Sequence, residues 1–175
     1  MSPRTCTLSA FTVGAALSFE IAANAGDLPK EGQVNFTYSA FGTLKATPIG
    51  KERLLATFDE NGAGVGNGFG DRMTWHCFGL VDIASGMAEH RGYCVGTDPA
   101  GDQVASEVVS NGKYPADAKS FSGTLTLTAG TGKYTGISGN WTYVGHGPEF
   151  RTASEGTYFS YTTNQGSYKL QPLSQ

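Results

Sequence analysis

The feature that most constrains this chain is a pair of strand-like runs meeting at Ser85-Gly86. Glycine supplies the positive φ that a two-residue hairpin turn needs. With Ala84 and Met87 flanking the turn, Cys77 falls directly opposite Cys94. Alternation outward from the turn makes this a non-hydrogen-bonded pair, with Cα atoms roughly 4.5 Å apart, at the short end of what a disulfide tolerates. Turn chemistry and cysteine position thus give one register, and a Cys77–Cys94 disulfide is expected. A three-residue loop would break the coincidence and leave two free buried thiols.

The same register assigns faces. Trp75, Cys77, Gly79, Val81 and Ile83 share a side with Ala88, His90, Gly92, Cys94 and Gly96. That side carries no ionised group apart from a titratable histidine, so it is expected to face the interior. The other side carries His76, Phe78, Leu80 and Asp82 beside Glu89, Arg91, Tyr93 and Val95. It reads as an outer surface, partly covered, for instance by another subunit.

The rest of the chain repeats this pattern. Short runs separated by Gly, Pro and Asx punctuation predict strands over 34–45, 52–59, 73–83, 88–97, 103–110, 120–129, 139–145 and 154–163, with a partial strand at 167–170. In the cleanest, Phe121, Leu125 and Leu127 alternate with Ser122, Thr124, Thr126 and Thr128. No stretch repeats with a helical period; 54–58 is the nearest approach to a helical turn. The 25 glycines and low charge content, 15%, fit an all-β chain better than a helical one. A net charge of −3 provides no basic stripe for a nucleic-acid partner. No apolar run of ~20 residues follows the N-terminus, so no membrane insertion is expected of the mature chain.

Residues 1–25 read as an export signal: Arg4, an uncharged stretch from Cys6 to Phe19, then Ala23-Asn24-Ala25 as a small-x-small cleavage site, with Glu20 a blemish. Residues 26–175 would then form a single domain in the periplasm or secreted. Losing Cys6 leaves Cys77 and Cys94, an even pair suited to an oxidising compartment.

Two blocks carry a family resemblance. Gly123-Thr124-Leu125-Thr126-Leu127-Thr128 leads into Gly130-Thr131-Gly132-Lys133-Tyr134 and then Gly136-Ile137-Ser138-Gly139. His76-Cys77 on one strand is matched by Gly92-Tyr93-Cys94, Thr97-Asp98 and Gly101-Asp102 on the next. This resembles the allene oxide cyclase and dirigent barrel superfamily, most of all its small exported bacterial members. The resemblance implies an eight-stranded antiparallel, calycin-like barrel with an apolar lumen. It also implies a shaped cavity that holds a reactive lipophilic intermediate, and commonly a trimer. The cyclase's acidic residue does not map onto this sequence, and fold likeness alone does not transmit chemistry.

Other motifs have plainer readings. Gly130, Gly132 and Gly136 suggest a nucleotide loop but lack its following helix, so they read as turn formers. The Gly62–Gly70 series reads as a flexible connector, with a lid over a barrel mouth as its functional alternative. Asp98 and Asp102 are too few for a calcium site and read as a turn bonded to local amides. No three or four convergent metal ligands are visible, and no cofactor is implied.

Trp75, His90, Trp141 and Tyr143 are the candidate ligand-binding residues. The weak catalytic candidates are His90, as a base or hydrogen-bond anchor, and Glu107, should its carboxylate face inward. A satisfied core histidine and an outward Glu107 are the favoured readings of those two. Alternation leaves open which face of that strand is inner. The expected role is binding of a small apolar or aromatic molecule in the lumen. The alternatives are a structural oligomer without ligand and an isomerase or cyclase.

Overall fold

The computed structural model describes residues 28–113, 120–146 and 156–171. The expected leader, with Cys6 and its cleavage site, lies outside the described residues. Eight strands run in chain order: β1 Glu31–Ile49, β2 Arg53–Gly66, β3 Thr74–Ala84, β4 Met87–Thr97, β5 Gln103–Lys113, β6 Ser120–Gly130, β7 Ile137–His146 and β8 Gly156–Leu170. Each pairs antiparallel with its neighbour, and β8 returns to pair with β1, closing the barrel. Residues 54–58 belong to β2, and 167–170 continue β8 rather than forming a separate strand. Among the described residues the one helical element is a 3-10 turn, Gly132–Tyr134, and no helix is long and apolar enough to cross a membrane.

The hairpin that opened the reading forms as expected. Ala84 pairs with Met87 and Cys77 with Cys94, and the two cysteines are bonded with Cα atoms 4.0 Å apart. Both turn residues take positive φ, Ser85 at 51° and Gly86 at 74°, the pattern of a type I′ turn. Trp75, Cys77, Val81, Ile83, His90 and Cys94 are buried inside, while Phe78, Leu80 and Tyr93 stand exposed outside.

One expectation is overturned. Gly62, Gly64 and Gly66 are not a loop but the last part of β2, paired with Ala40, Tyr38 and Phe36 of β1. The Tyr38 ring lies over Gly62, so that a side chain there would meet its Cε2 at 2.5 Å. At Gly64 and Gly66 the close neighbours are the Gly70 and Asn35 carbonyls, so these glycines are points of close approach rather than hinges. The connector itself is confined to residues 67–73 and turns inward. Phe69 is buried against Tyr168 (5.2 Å between ring centroids), Trp141 (5.8 Å) and Tyr134 (6.0 Å), closing one end of the barrel.

That end is stapled by polar contacts. Asp98 Oδ1 accepts from the amides of Ala100 (2.8 Å) and Asp102 (3.0 Å), as the turn reading anticipates. Its Oδ2 faces Lys133 Nζ at 2.5 Å and accepts from Tyr134 Oη at 3.3 Å. Burial alone would raise the Asp98 carboxyl, but Lys133 and the Asp102 and Ala100 amides outweigh it and hold it below the ordinary range. Gly130, Gly132 and Gly136 shape this corner, with Gly132 and Gly136 at φ of 51° and 77°.

The disulfide closes a loop with a sequence separation of 17, and a link of that span is worth about 3 kcal/mol through lost unfolded-state entropy. Reduction, or the double replacement Cys77→Ala and Cys94→Ala, is therefore expected to lower the unfolding free energy in urea by about that amount. An unchanged midpoint would show that the hairpin register holds without the bond.

A candidate ligand cavity in the barrel lumen

Between the Phe69 layer and a second apolar layer of Leu44, Ala56, Val81 and Ile83, the barrel is not filled. Its cavity has a volume of about 50 Å3. A cavity of that size holds several waters; a one-ring molecule enters by displacing lining side chains.

All four residues singled out as ligand-binding, Trp75, His90, Trp141 and Tyr143, line this cavity. Inward alternation places them: Trp75 on β3, His90 on β4, and Trp141 and Tyr143 two residues apart on β7. Phe36 stacks on Trp75, with ring centroids 5.7 Å apart and planes 6° apart, and both tryptophans meet nearly edge-on at 6.1 Å. Phe58 meets the His90 ring edge-on at 4.5 Å. The Cys77–Cys94 disulfide, Val108 and Leu125 complete an apolar wall.

His90 Nδ1 lies 3.4 Å from Tyr143 Oη. Burial pushes its pKa down to about 4, so it is a neutral imidazole at physiological pH. Glu107 does not belong to the site. On β5 it is Val104, Ser106 and Val108 that are buried, and Glu107 is exposed on the outer surface. The lumen is closed to it because that face of the strand is the only wholly uncharged one.

The carboxylate that does reach the cavity is Glu60. It follows Ala56 and Phe58 in the inward phase of β2; ending that strand at Asp59 in the sequence reading stopped one residue short of it. Tyr158 Oη donates to Glu60 Oε2 at 3.1 Å, and Tyr158 itself lies on Gly42, where a side chain would meet its ring at 2.5 Å. Desolvation pushes the Glu60 pKa up to about 7, with help from the charge of Asp59 and against the hydrogen bonds of Tyr158 and Tyr38. Near neutral pH this carboxyl is therefore both a donor and an acceptor. Glu60 and Phe121 are the two lining residues that keep partial exposure.

A second polar group was also missed. Asn164 accepts from Trp141 Nε1 at 3.0 Å through Oδ1 and donates to Thr162 Oγ1 at 2.9 Å through Nδ2. The sequence hid it: Ser160, Thr162 and Asn164 are the buried set while the aromatic Phe159 and Tyr161 face outward, the reverse of what hydrophobic alternation suggests. His76 and His90 face opposite sides as expected; His76 pairs with Asp59 outside at 3.1 Å. Among the described residues, no three His, Cys, Asp or Glu side chains converge as a metal site.

Fold and site together define a closed eight-stranded barrel with an aromatic lumen. Among solved structures, the pterocarpan synthase dirigent protein GePTS1 matches with a TM-score of 0.53 and 10% identity, over 83% of this chain and 90% of that one. The pterocarpan synthase dirigent protein PsPTS1 matches with a TM-score of 0.50 and 11% identity, over 82% of this chain and 97% of that one. At such identities the likeness is one of fold. No protein-family model matches the sequence, and no curated protein does.

The Glu60 shift predicts a pH signature. A carboxyl whose folded pKa lies above its unfolded value favours the fold below the unfolded value and loses that contribution as pH rises through the folded one. From the ordinary value of 4.5 to about 7, the change is worth roughly 3 kcal/mol above neutrality. Glu60→Gln is expected to exceed the wild type in stability at pH 8.5 and lose that advantage toward pH 5. Urea unfolding at both pH values checks this; a pH-independent difference would place the Glu60 midpoint in the ordinary carboxylate range.

Proposed function

We propose that this protein binds a small, largely apolar or aromatic molecule of about one ring within its barrel. The observation that carries the reading is the unfilled cavity, with Trp75, Trp141, Phe36 and Phe58 as flat apolar walls and a few polar groups at fixed positions. Small-molecule sites have this composition, whereas a purely structural barrel gains most by packing its interior to full density. In the proposal the protein is exported, its leader removed, and it works in the periplasm or outside the cell, where the disulfide persists. Exposed Phe41 and Phe159, in contact with each other at 4.9 Å, and the neighbouring Tyr161 are the apolar surface that a homo-oligomer would cover.

A second reading is favoured by one observation. A carboxyl with a midpoint of about 7, bonded to Tyr158 at the cavity wall, is matched to proton transfer near neutral pH. It supports an isomerase or cyclase class akin to the allene oxide cyclases that the sequence resembles. Glu60 takes the acid-base part for which Glu107 was a weak candidate, and neutral His90 lines the same cavity. Under this reading Glu60→Gln abolishes turnover while retaining binding.

The test of the leading reading uses the protein's own reporters. Its two tryptophans both line the cavity, so intrinsic fluorescence reports occupancy directly. Titration with 4-ethylphenol is expected to give a saturable change. Val108→Phe, which fills the lumen, is expected to abolish that change while the variant still unfolds cooperatively. Saturation that survives in Val108→Phe would move the binding site out of the lumen.

A further inference from the structure

The two tryptophans of the cavity are chemically unequal. The Trp141 indole N–H is satisfied by Asn164 at 3.0 Å. The Trp75 indole nitrogen is buried, on a side chain only 4% exposed, and has no hydrogen-bond partner among the described residues. An indole N–H is a donor and nothing else, so it can be satisfied only by an acceptor brought to it.

The packing around Trp75 fixes how it is presented. Its benzo edge lies on Gly96 of β4: a side chain there would meet Cζ3 at 2.8 Å, and Cε3 and Cη2 at 2.9 Å. The nitrogen sits on the opposite edge of the indole and is turned away from that strand. One ring face is covered by Phe36. Across the β2–β3 ladder the partner is Gly62, which has no side chain to offer. The next inward side chain on β2, Glu60, is engaged by Tyr158. The frame that immobilises Trp75 thus supplies apolar contact on its faces and no acceptor on its polar edge.

We propose that Trp75 is a specificity-determining residue: its N–H selects ligands that present an acceptor oxygen beside the ring, such as aryl ketones, over hydrocarbons of equal size. The inference rests on the lumen-binding reading and deepens it. In a largely apolar cavity a ligand oxygen supplies the hydrogen bond that the indole otherwise lacks, whereas a hydrocarbon leaves the donor unmet. Sites built around a donor discriminate strongly against analogues missing its partner. Trp141, already satisfied by Asn164, gains nothing from the same oxygen and serves as an internal control.

The experiment compares acetophenone with ethylbenzene, which has a methylene where the ketone has its carbonyl. In 15N-correlated NMR spectra of the wild type, the two indole N–H signals are followed during titration with each probe. Acetophenone is expected to move the Trp75 indole proton downfield with Trp141 shifting little, and to bind about tenfold more tightly than ethylbenzene, a difference of about 1.4 kcal/mol. Trp75→Phe keeps an aromatic ring without the N–H and is expected to bring the affinity ratio of the two probes to about one. Equal affinities and matching indole shifts for the two probes would overturn the inference while leaving the lumen reading intact. Binding of neither probe in the wild type would overturn both. The wild-type comparison decides the matter even if the variant fails to fold.

Discussion

Everything in this protein depends on closure of one sheet. Because β1 pairs with both β2 and β8, the described strands leave no open edge between them, and the interior is bounded by the number of strands. Eight strands leave room for little more than their own side chains. Large rings fit only where a wall gives way. Phe58 lies over the directly paired Gly79 and Gly92, Tyr38 over Gly62, and Trp75 over Gly96. The joint abundance of glycine and aromatic residues has this as one cause: at Gly62, Gly79, Gly92 and Gly96 the missing side chain makes the space into which a ring from a neighbouring strand fits, and rings lying against the wall leave the centre unfilled.

Closure also explains the electrostatics. Most inward positions are apolar, and the titratable groups among them are displaced far from their behaviour in water. His90 is driven to its neutral form and Glu60 toward protonation by the same loss of solvent. At the closed end the opposite solution is used: Asp98 remains ionised because Lys133 and two amides are built around it. One end of the barrel is thus fastened by a paired charge, while burial leaves the titratable groups of the cavity wall neutral or part-charged near neutral pH.

Much of this was legible in the sequence because a hairpin converts local chemistry into geometry. Ser85-Gly86 and the two cysteines set the β3–β4 register, and from it followed which side Trp75 and His90 face. The resemblance in 123–139 supplied the barrel that joined this hairpin to Trp141 and Tyr143. Part of what was missed lay at strand ends. Gly62, Gly64 and Gly66 look like punctuation when read along the chain, because what crowds them, the Tyr38 ring at Gly62 and backbone carbonyls at Gly64 and Gly66, comes from elsewhere in the chain. Ending β2 early then hid Glu60, and the outward Phe159 and Tyr161 of β8 hid Asn164. Glu107 was ambiguous because alternation gives two faces without saying which is inner. That choice depends on the β5 neighbours, and burial of Val104, Ser106 and Val108 makes it.

The central claim is that the closed barrel holds an open, apolar lumen at the level of the two tryptophans. Xenon, which settles in dry apolar cavities, tests it with no assumption about the natural ligand. In a crystal of the oxidised protein under xenon pressure, the account predicts a bound atom inside the barrel among Trp75, Trp141 and Val108, with the lining rings unmoved. A barrel that takes up no xenon because Phe121 or Tyr143 has swung in to fill the centre would contradict it.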